Sequence, residues 1–203
     1  MKSHKLYVKN AGERIETVVE MPDSAPTGLA LIAHPHPLRG GSLDNKVAWC
    51  LAKAALASGL VAVRPNFRGV GGSSGKHDHG IGETDDLLAV AEVIGANHPG
   101  LDWTLMGFSF GGYVQQRVAG RLPARQLIMV GAAVSMYDFG PPHIPTTLIH
   151  GAEDEVIPLT AARAYAEAHG LPLHVLEGAG HFFHGRLRDL QTLVQSLCRN
   201  PSP

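Results

Sequence analysis

Short apolar runs bounded by glycine, proline or aspartate alternate along this chain with longer stretches that place an apolar residue every three or four positions. Lys5–Val8 and Arg14–Glu20 carry a strand pattern, and Asn10-Ala11-Gly12 between them predicts an opening hairpin. Six further runs are short and apolar in character: Leu29–Ala33, Val61–Val63, Trp103–Met106, Leu127–Val130, Thr147–Ile149 and Leu173–Leu176. Such runs suit strands covered on both faces of a parallel sheet. Between them lie helical patterns. Asp44–Ser58 sets Val47, Leu51, Ala54 and Ala55 on one face, with Gly59 placed to end it. Thr84–Asn97 has Thr84 as its expected N-cap, Asp85 and Asp86 in the first turn, and Pro99 beyond its end. Phe110–Leu122, Leu159–His169 and Phe183–Cys198 complete the set. Eight strands with helices between the last six predict an α/β three-layer architecture, residues 1–203 forming one domain and only Asn200–Pro203 a frayed end.

Composition narrows the function. Lys and Arg total 17 against 18 Asp and Glu, and a net charge of −1 gives no footprint for nucleic acid or an anionic membrane. No apolar run approaches the roughly 18 residues of a membrane-spanning helix. The first ten residues carry Lys2, Lys5 and Lys9 but no apolar core of a secretory signal. Cys50 and Cys198 lie in apolar helical patterns, too far apart for metal-ligand spacing, and read as buried reduced thiols. These features predict a cytoplasmic protein. The oligomeric state is left open, a homodimer included.

Gly107-Phe108-Ser109-Phe110-Gly111 fits G-x-S-x-G, the sharp strand-to-helix turn that presents a nucleophilic serine. Gly71-Gly72-Ser73-Ser74-Gly75 fits it too. Context separates the two: Ser109 follows an apolar run and opens a helical segment, whereas Ser73 has neither neighbour and reads as part of a solvated loop. A serine hydroxyl attacks a carbonyl only when an imidazole takes its proton and a carboxylate orients that imidazole. With such a turn the partners follow in the order serine, acid, histidine. Glu153, Asp154 and Glu155 lie just past the strand Thr147–Ile149, at the sheet end where ligand sites collect, and Asp154 is the expected acid. His181 follows the strand Leu173–Leu176 in Glu177-Gly178-Ala179-Gly180-His181, whose small residues let the loop fold over Ser109; His184 is the rival base.

Negative charge develops on the carbonyl oxygen during attack, so two N–H donors must be aimed at it. The first is expected from Phe110, the second from the loop after the third strand, Ala33-His34-Pro35-His36-Pro37-Leu38. Proline has no N–H, which leaves His36, the expected donor, and Leu38. The pairs His34/His36 and His77/His79 raise a zinc site as a competing reading, but no further spaced ligand motif supports it and no metal is expected. The glycine-rich segments near Gly69–Lys76 fit neither the phosphate-loop nor the dinucleotide pattern.

Together Ala33-His34-Pro35-His36-Pro37, Arg64-Pro65-Asn66-Phe67-Arg68-Gly69-Val70-Gly71, Gly107-Phe108-Ser109-Phe110-Gly111-Gly112 and Gly178-Ala179-Gly180-His181 resemble the small bacterial serine α/β-hydrolases related to dienelactone hydrolase. These are cytosolic, esterase-like proteins without a lid. The resemblance implies an α/β-hydrolase fold with an eight-stranded, mostly parallel sheet whose second strand is antiparallel, and no cap domain. It implies carboxylic ester hydrolysis through an acyl-enzyme, and no cofactor is expected. Dienelactone hydrolases themselves carry cysteine where this chain has Ser109, so a dienelactone is not the expected substrate. Only Ser135–Pro145, with Pro141, Pro142 and Pro145, stands where a helical lid would sit. The open site this predicts favours short-chain esters or thioesters. A thioesterase or peptidase using the same residues, and a non-catalytic binding protein of this fold, are the alternative readings.

Overall fold

In the computed structural model, which describes residues 3–199, strand β3 (Gly28–Ala33) is buried along its whole length. Ala30 and Ile32 enter one hydrophobic core, while Leu29, Leu31 and Ala33 enter another on the opposite face. Continuous apolarity is thus what a strand with helices on both sides requires. The same division holds on β5 (Trp103–Phe108), where Met106 and Phe108 point one way and Trp103 and Leu105 the other.

Strands β1 (Ser3–Asn10) and β2 (Glu13–Glu20) form the expected hairpin. Its turn residues Ala11 and Gly12 have φ of 47° and 87°, as the tight hairpin turn demands. With β4 (Leu60–Pro65), β6 (Gln126–Val130), β7 (Thr146–Gly151) and β8 (Leu173–Leu176) they make one eight-stranded sheet of order β1-β2-β4-β3-β5-β6-β7-β8. β2 runs antiparallel to both neighbours, and every pairing from β4 to β8 is parallel. Helices α1 (Lys46–Ala57) and α5 (Leu187–Arg199) cover one face. Helices α2 (Ile81–Ala96) and α3 (Phe110–Ala119) cover the other, joined by Ala166 of α4 (Leu159–His169).

Two helix starts differ from the sequence expectation. The Glu83 carboxylate accepts the N–H groups of Gly80, at 2.8 Å, and Asp78, at 2.9 Å, so α2 begins at Ile81 rather than at Thr84. Thr84 lies inside the helix and donates its hydroxyl to the Gly80 carbonyl. At the other end, Phe183 and Gly185 adopt positive φ, 51° and 75°, which no helix tolerates, and α5 starts only at Leu187. The segment expected to fray, 200–203, lies outside the described residues. No helix among the described residues is long and apolar enough to cross a membrane.

From β3 the chain proceeds to β4 on one side and then returns to β5 on the other. The loops leaving β3 and β5 therefore diverge and open a crevice at the carboxyl end of the sheet.

Candidate active site

The turn after β5 is the tightest feature of that crevice. Ser109 has φ 54° and ψ −116°, a conformation L-residues rarely adopt and one that costs about 1–3 kcal/mol. Neighbouring backbone holds it there: the Ser109 N–H donates to the Val130 carbonyl at 2.9 Å, and the Ser109 carbonyl accepts the Gly112 N–H at 3.0 Å. Neither flanking glycine is replaceable in this geometry. A Cβ on Gly107 would strike the carbonyl of Gly111, and one on Gly111 would lie 2.6 Å from the His34 oxygen and nearer still to that of Ala33. Strand, turn and the end of β3 are pressed together, and the Ser109 side chain projects into the crevice.

His181 reaches over it. Its Nε2 lies 3.1 Å from Ser109 Oγ and its Nδ1 2.8 Å from Asp154 Oδ2. A carboxylate only accepts, so the ring proton sits on Nδ1 and the Nε2 lone pair faces the hydroxyl. The other oxygen of Asp154 accepts the N–H groups of Val156, at 2.9 Å, and Ile157, at 2.7 Å. Burial works to raise the Asp154 pKa, but the hydrogen bonds from His181, Ile157 and Val156 outweigh it and hold the carboxyl below its usual range. The structure thus brings together the three side chains proposed from the sequence. Their rivals are placed elsewhere: His184 and Glu153 are exposed, while Glu155 accepts the backbone N–H of His181 at 3.2 Å. One neighbour escaped sequence reasoning. His150, buried on β7, has Nε2 2.9 Å from the Ile157 carbonyl and 3.4 Å from Asp154 Oδ2. Its place at the C-terminal end of a strand was the signal available.

The two residues expected to supply backbone donors, Phe110 and His36, line the crevice beside Ser109. Phe110 is the first residue of α3, so its N–H has no partner within the helix. In the loop after β3, Leu38 gives its N–H to His36 Nδ1 at 3.2 Å, Arg39 and Gly41 give theirs to the His36 carbonyl, and Gly40 gives its to that of Pro37. Burial, with His77 and Arg39 adding to it, holds the His36 pKa below its ordinary value, consistent with a neutral ring that accepts. Pro35 and Pro37 have no N–H, which leaves that of His36 as the remaining donor between residues 35 and 41.

The histidines that suggested zinc are engaged by protein partners. His34 Nε2 accepts the Phe67 N–H at 2.9 Å, its Nδ1 is 2.7 Å from the Pro35 carbonyl, and His77 Nδ1 is 2.7 Å from the Glu83 carboxylate. Among the described residues no group of three or more His, Cys, Asp or Glu side chains is placed to hold a metal ion. Cys50 and Cys198 are free and buried, and burial pushes both thiols up to about 12. The second pentapeptide departs from expectation: Ser73 is buried rather than solvated. It donates to the Asn66 carbonyl at 2.8 Å and accepts the Glu16 N–H at 2.9 Å.

Around Ser109 the crevice has a volume of about 480 Å³, walled by Met136 and Tyr137 on one side and Val156 and Phe182 on another. Residues 131–145, which join β6 to β7, contain no helix. The Tyr165 hydroxyl donates to the Gly140 carbonyl at 2.9 Å and the Gln116 amide to that of Pro141 at 2.6 Å, tying this connection to the body of the fold.

An eight-stranded sheet of this order, with a serine on the turn after β5 and no cap, defines an α/β-hydrolase fold. An α/β serine hydrolase homologue from Coxiella burnetii is 36% identical, with a TM-score of 0.91 over 100% of this chain and 99% of that one. A lid-less α/β serine hydrolase from Xanthomonas campestris is 34% identical, with a TM-score of 0.93 over 100% and 97%. An uncharacterized protein of Rickettsia prowazekii (strain Madrid E) is 30% identical across 94% of this chain and 86% of its own length. No family model matches. The chain belongs to the α/β serine hydrolases without a lid.

Proposed function

We propose that this protein hydrolyses short-chain carboxylic esters through an acyl-enzyme, with Ser109 as nucleophile, His181 as base and Asp154 as its orienting acid. The observation that carries this reading is the continuous contact from Ser109 Oγ to His181 Nε2, 3.1 Å, and from His181 Nδ1 to Asp154 Oδ2, 2.8 Å. Ser109 Oγ attacks the ester carbonyl carbon while its proton passes to Nε2; the imidazolium formed is stabilised by the Asp154 carboxylate, which keeps the Nδ1 proton. The negative oxygen of the tetrahedral intermediate accepts the N–H groups of Phe110 and His36. Collapse breaks the bond to the alcohol, which leaves with the proton from Nε2. Water then attacks the acyl group by the same route, releasing the acid and restoring Ser109.

Substrate length follows from the walls. Four apolar side chains at an open mouth enclose a small acyl group but give a long chain no tunnel, and each further methylene offers about 1–3 kcal/mol only where a pocket surrounds it. A reducing, cytoplasmic setting suits the two unpaired buried thiols.

The test is a panel of nitrophenyl esters and acyl-CoA thioesters with a fluorophosphonate label. Labelling at Ser109, and acetyl or butyryl esters turned over with a kcat at least about 10⁴-fold above that of Ser109→Ala, are expected. A folded but unlabelled protein would replace this reading with that of a binding protein. Preference for long-chain esters would overturn the substrate class, and preference for the thioesters would move it to acyl-CoA.

A further inference from the structure

We propose that His34 is the positioning residue of the oxyanion site, holding the Pro35–His36 peptide so that the His36 N–H points into the crevice; this rests on the role given to that N–H above.

Two backbone neighbours fix the tautomer of the ring. Phe67 donates its N–H to His34 Nε2 at 2.9 Å, so that nitrogen carries no proton. In the neutral ring the proton is then on Nδ1, which donates to the Pro35 carbonyl at 2.7 Å. His34 is fully buried, and burial lowers its pKa to about 4, so the ring stays neutral and the tautomer fixed at neutral pH.

The Pro35 carbonyl and the His36 N–H belong to one peptide plane. That bond is trans, as is every peptide bond among the described residues, and in a trans peptide the C=O and N–H point in opposite directions. A carbonyl turned inward to a buried imidazole therefore turns the His36 N–H outward, on the side where His36, Ser109 and Phe110 wall the crevice. Gly41 closes on the same peptide: a Cβ there would lie 2.7 Å from the His36 oxygen and nearer still to that of Pro35. The ring also supports the second donor. His34 packs on Phe67 with centroids 4.4 Å apart, and Phe67 meets Phe110 edge-on at 5.6 Å. One buried side chain thus bears directly on one N–H of the oxyanion site and, through one intervening aromatic ring, on the other.

A residue that merely satisfied buried polar groups could be replaced equally well from either end of its ring. A positioning residue could not. In His34→Asn the amide nitrogen takes the place of Nδ1 and keeps the bond to Pro35; in His34→Gln the amide takes the place of Nε2 and keeps only an acceptor for Phe67. His34→Asn is expected to retain kcat within about fivefold, whereas His34→Gln loses about 100-fold with KM changed less than about twofold, the size of one misplaced oxyanion donor. Affinity for a trifluoromethyl ketone, which forms the tetrahedral adduct, should fall in step with kcat. Equal losses in the two variants, losses in KM, or kcat that follows the melting temperature instead would overturn the proposal. Should neither variant fold, ¹⁵N-histidine spectra of the native protein decide: His34 protonated on Nδ1 supports it and on Nε2 overturns it. Failure of the wider reading would look different, with the native protein itself showing neither esterase turnover nor labelling at Ser109.

Discussion

Two pentapeptides of this chain share one pattern and have opposite fates. At 107–111 the glycines have no left-handed φ; they are required for space, because strand, turn and the end of β3 leave no room for a Cβ. At 71–75 the outer glycines have φ of 56° and 85°, and are required for handedness, letting the loop curl back. The serines follow suit. Ser109 is strained and aimed at an imidazole, whereas Ser73 spends its hydroxyl on two backbone groups and fastens the loop to β2. Gly71 is short of room as well, but against the side chains of Asn66 and Glu16, whereas Gly107 and Gly111 are closed in by backbone; it is backbone crowding that marks the turn lifting Ser109.

The contrast can be broken at several points. Gly111→Ala should cost about 4 kcal/mol, because its methyl must displace the Ala33 and His34 carbonyls. Gly75→Ala meets nothing nearer than 3.2 Å and should cost only the left-handed penalty of about 1–2 kcal/mol. Equal losses in denaturant unfolding would erase the distinction.

Acid is the next lever, since one of the carbonyls closing on Gly111 belongs to His34. Burial holds His34 at about 4 against an ordinary 6.5. Between those values the unfolded chain binds a proton that the folded chain refuses. Stability is therefore complete above pH 6.5 and falls on acidification toward pH 4, by about 3 kcal/mol from this group. Asp154, held below the usual carboxylate range, sheds its contribution only at still lower pH. Unfolding titrations at pH 7 and pH 4.5 should show the earlier loss, and His34→Asn should reduce it, leaving the part that His36, also held below its ordinary value, contributes.

Smaller than the acid effect is that of Ser73→Ala. It leaves the Glu16 N–H and the Asn66 carbonyl without their buried partner, costing about 2 kcal/mol with kcat unchanged. A fall in turnover would give the second serine a part in the chemistry after all.

What could be read in the sequence divides along similar lines. Strands such as Leu29–Ala33 and Leu127–Val130 are legible because burial on both faces imposes an apolar run, and the order of Ser109, Asp154 and His181 along the chain follows from how such a sheet is wound. The start of α2 was not, because Thr84 and Glu83 offer equally good capping chemistry, and only the fold brings Gly80 and Asp78 to the Glu83 carboxylate. The burial of Ser73 was hidden because its partners, Glu16 and Asn66, are distant along the chain. His34 posed the hardest case: in sequence it is one more histidine among 12, and its meaning lies in which nitrogen meets Phe67 and which meets Pro35.

The fastened connection between β6 and β7 has a kinetic consequence. With Gly140 and Pro141 tethered to Tyr165 and Gln116, no flap must swing aside before entry or after cleavage. Under the hydrolysis proposed above, turnover would then be paced by bond making and breaking rather than by a gate, and stray water would reach the acyl-enzyme as freely as the ester does.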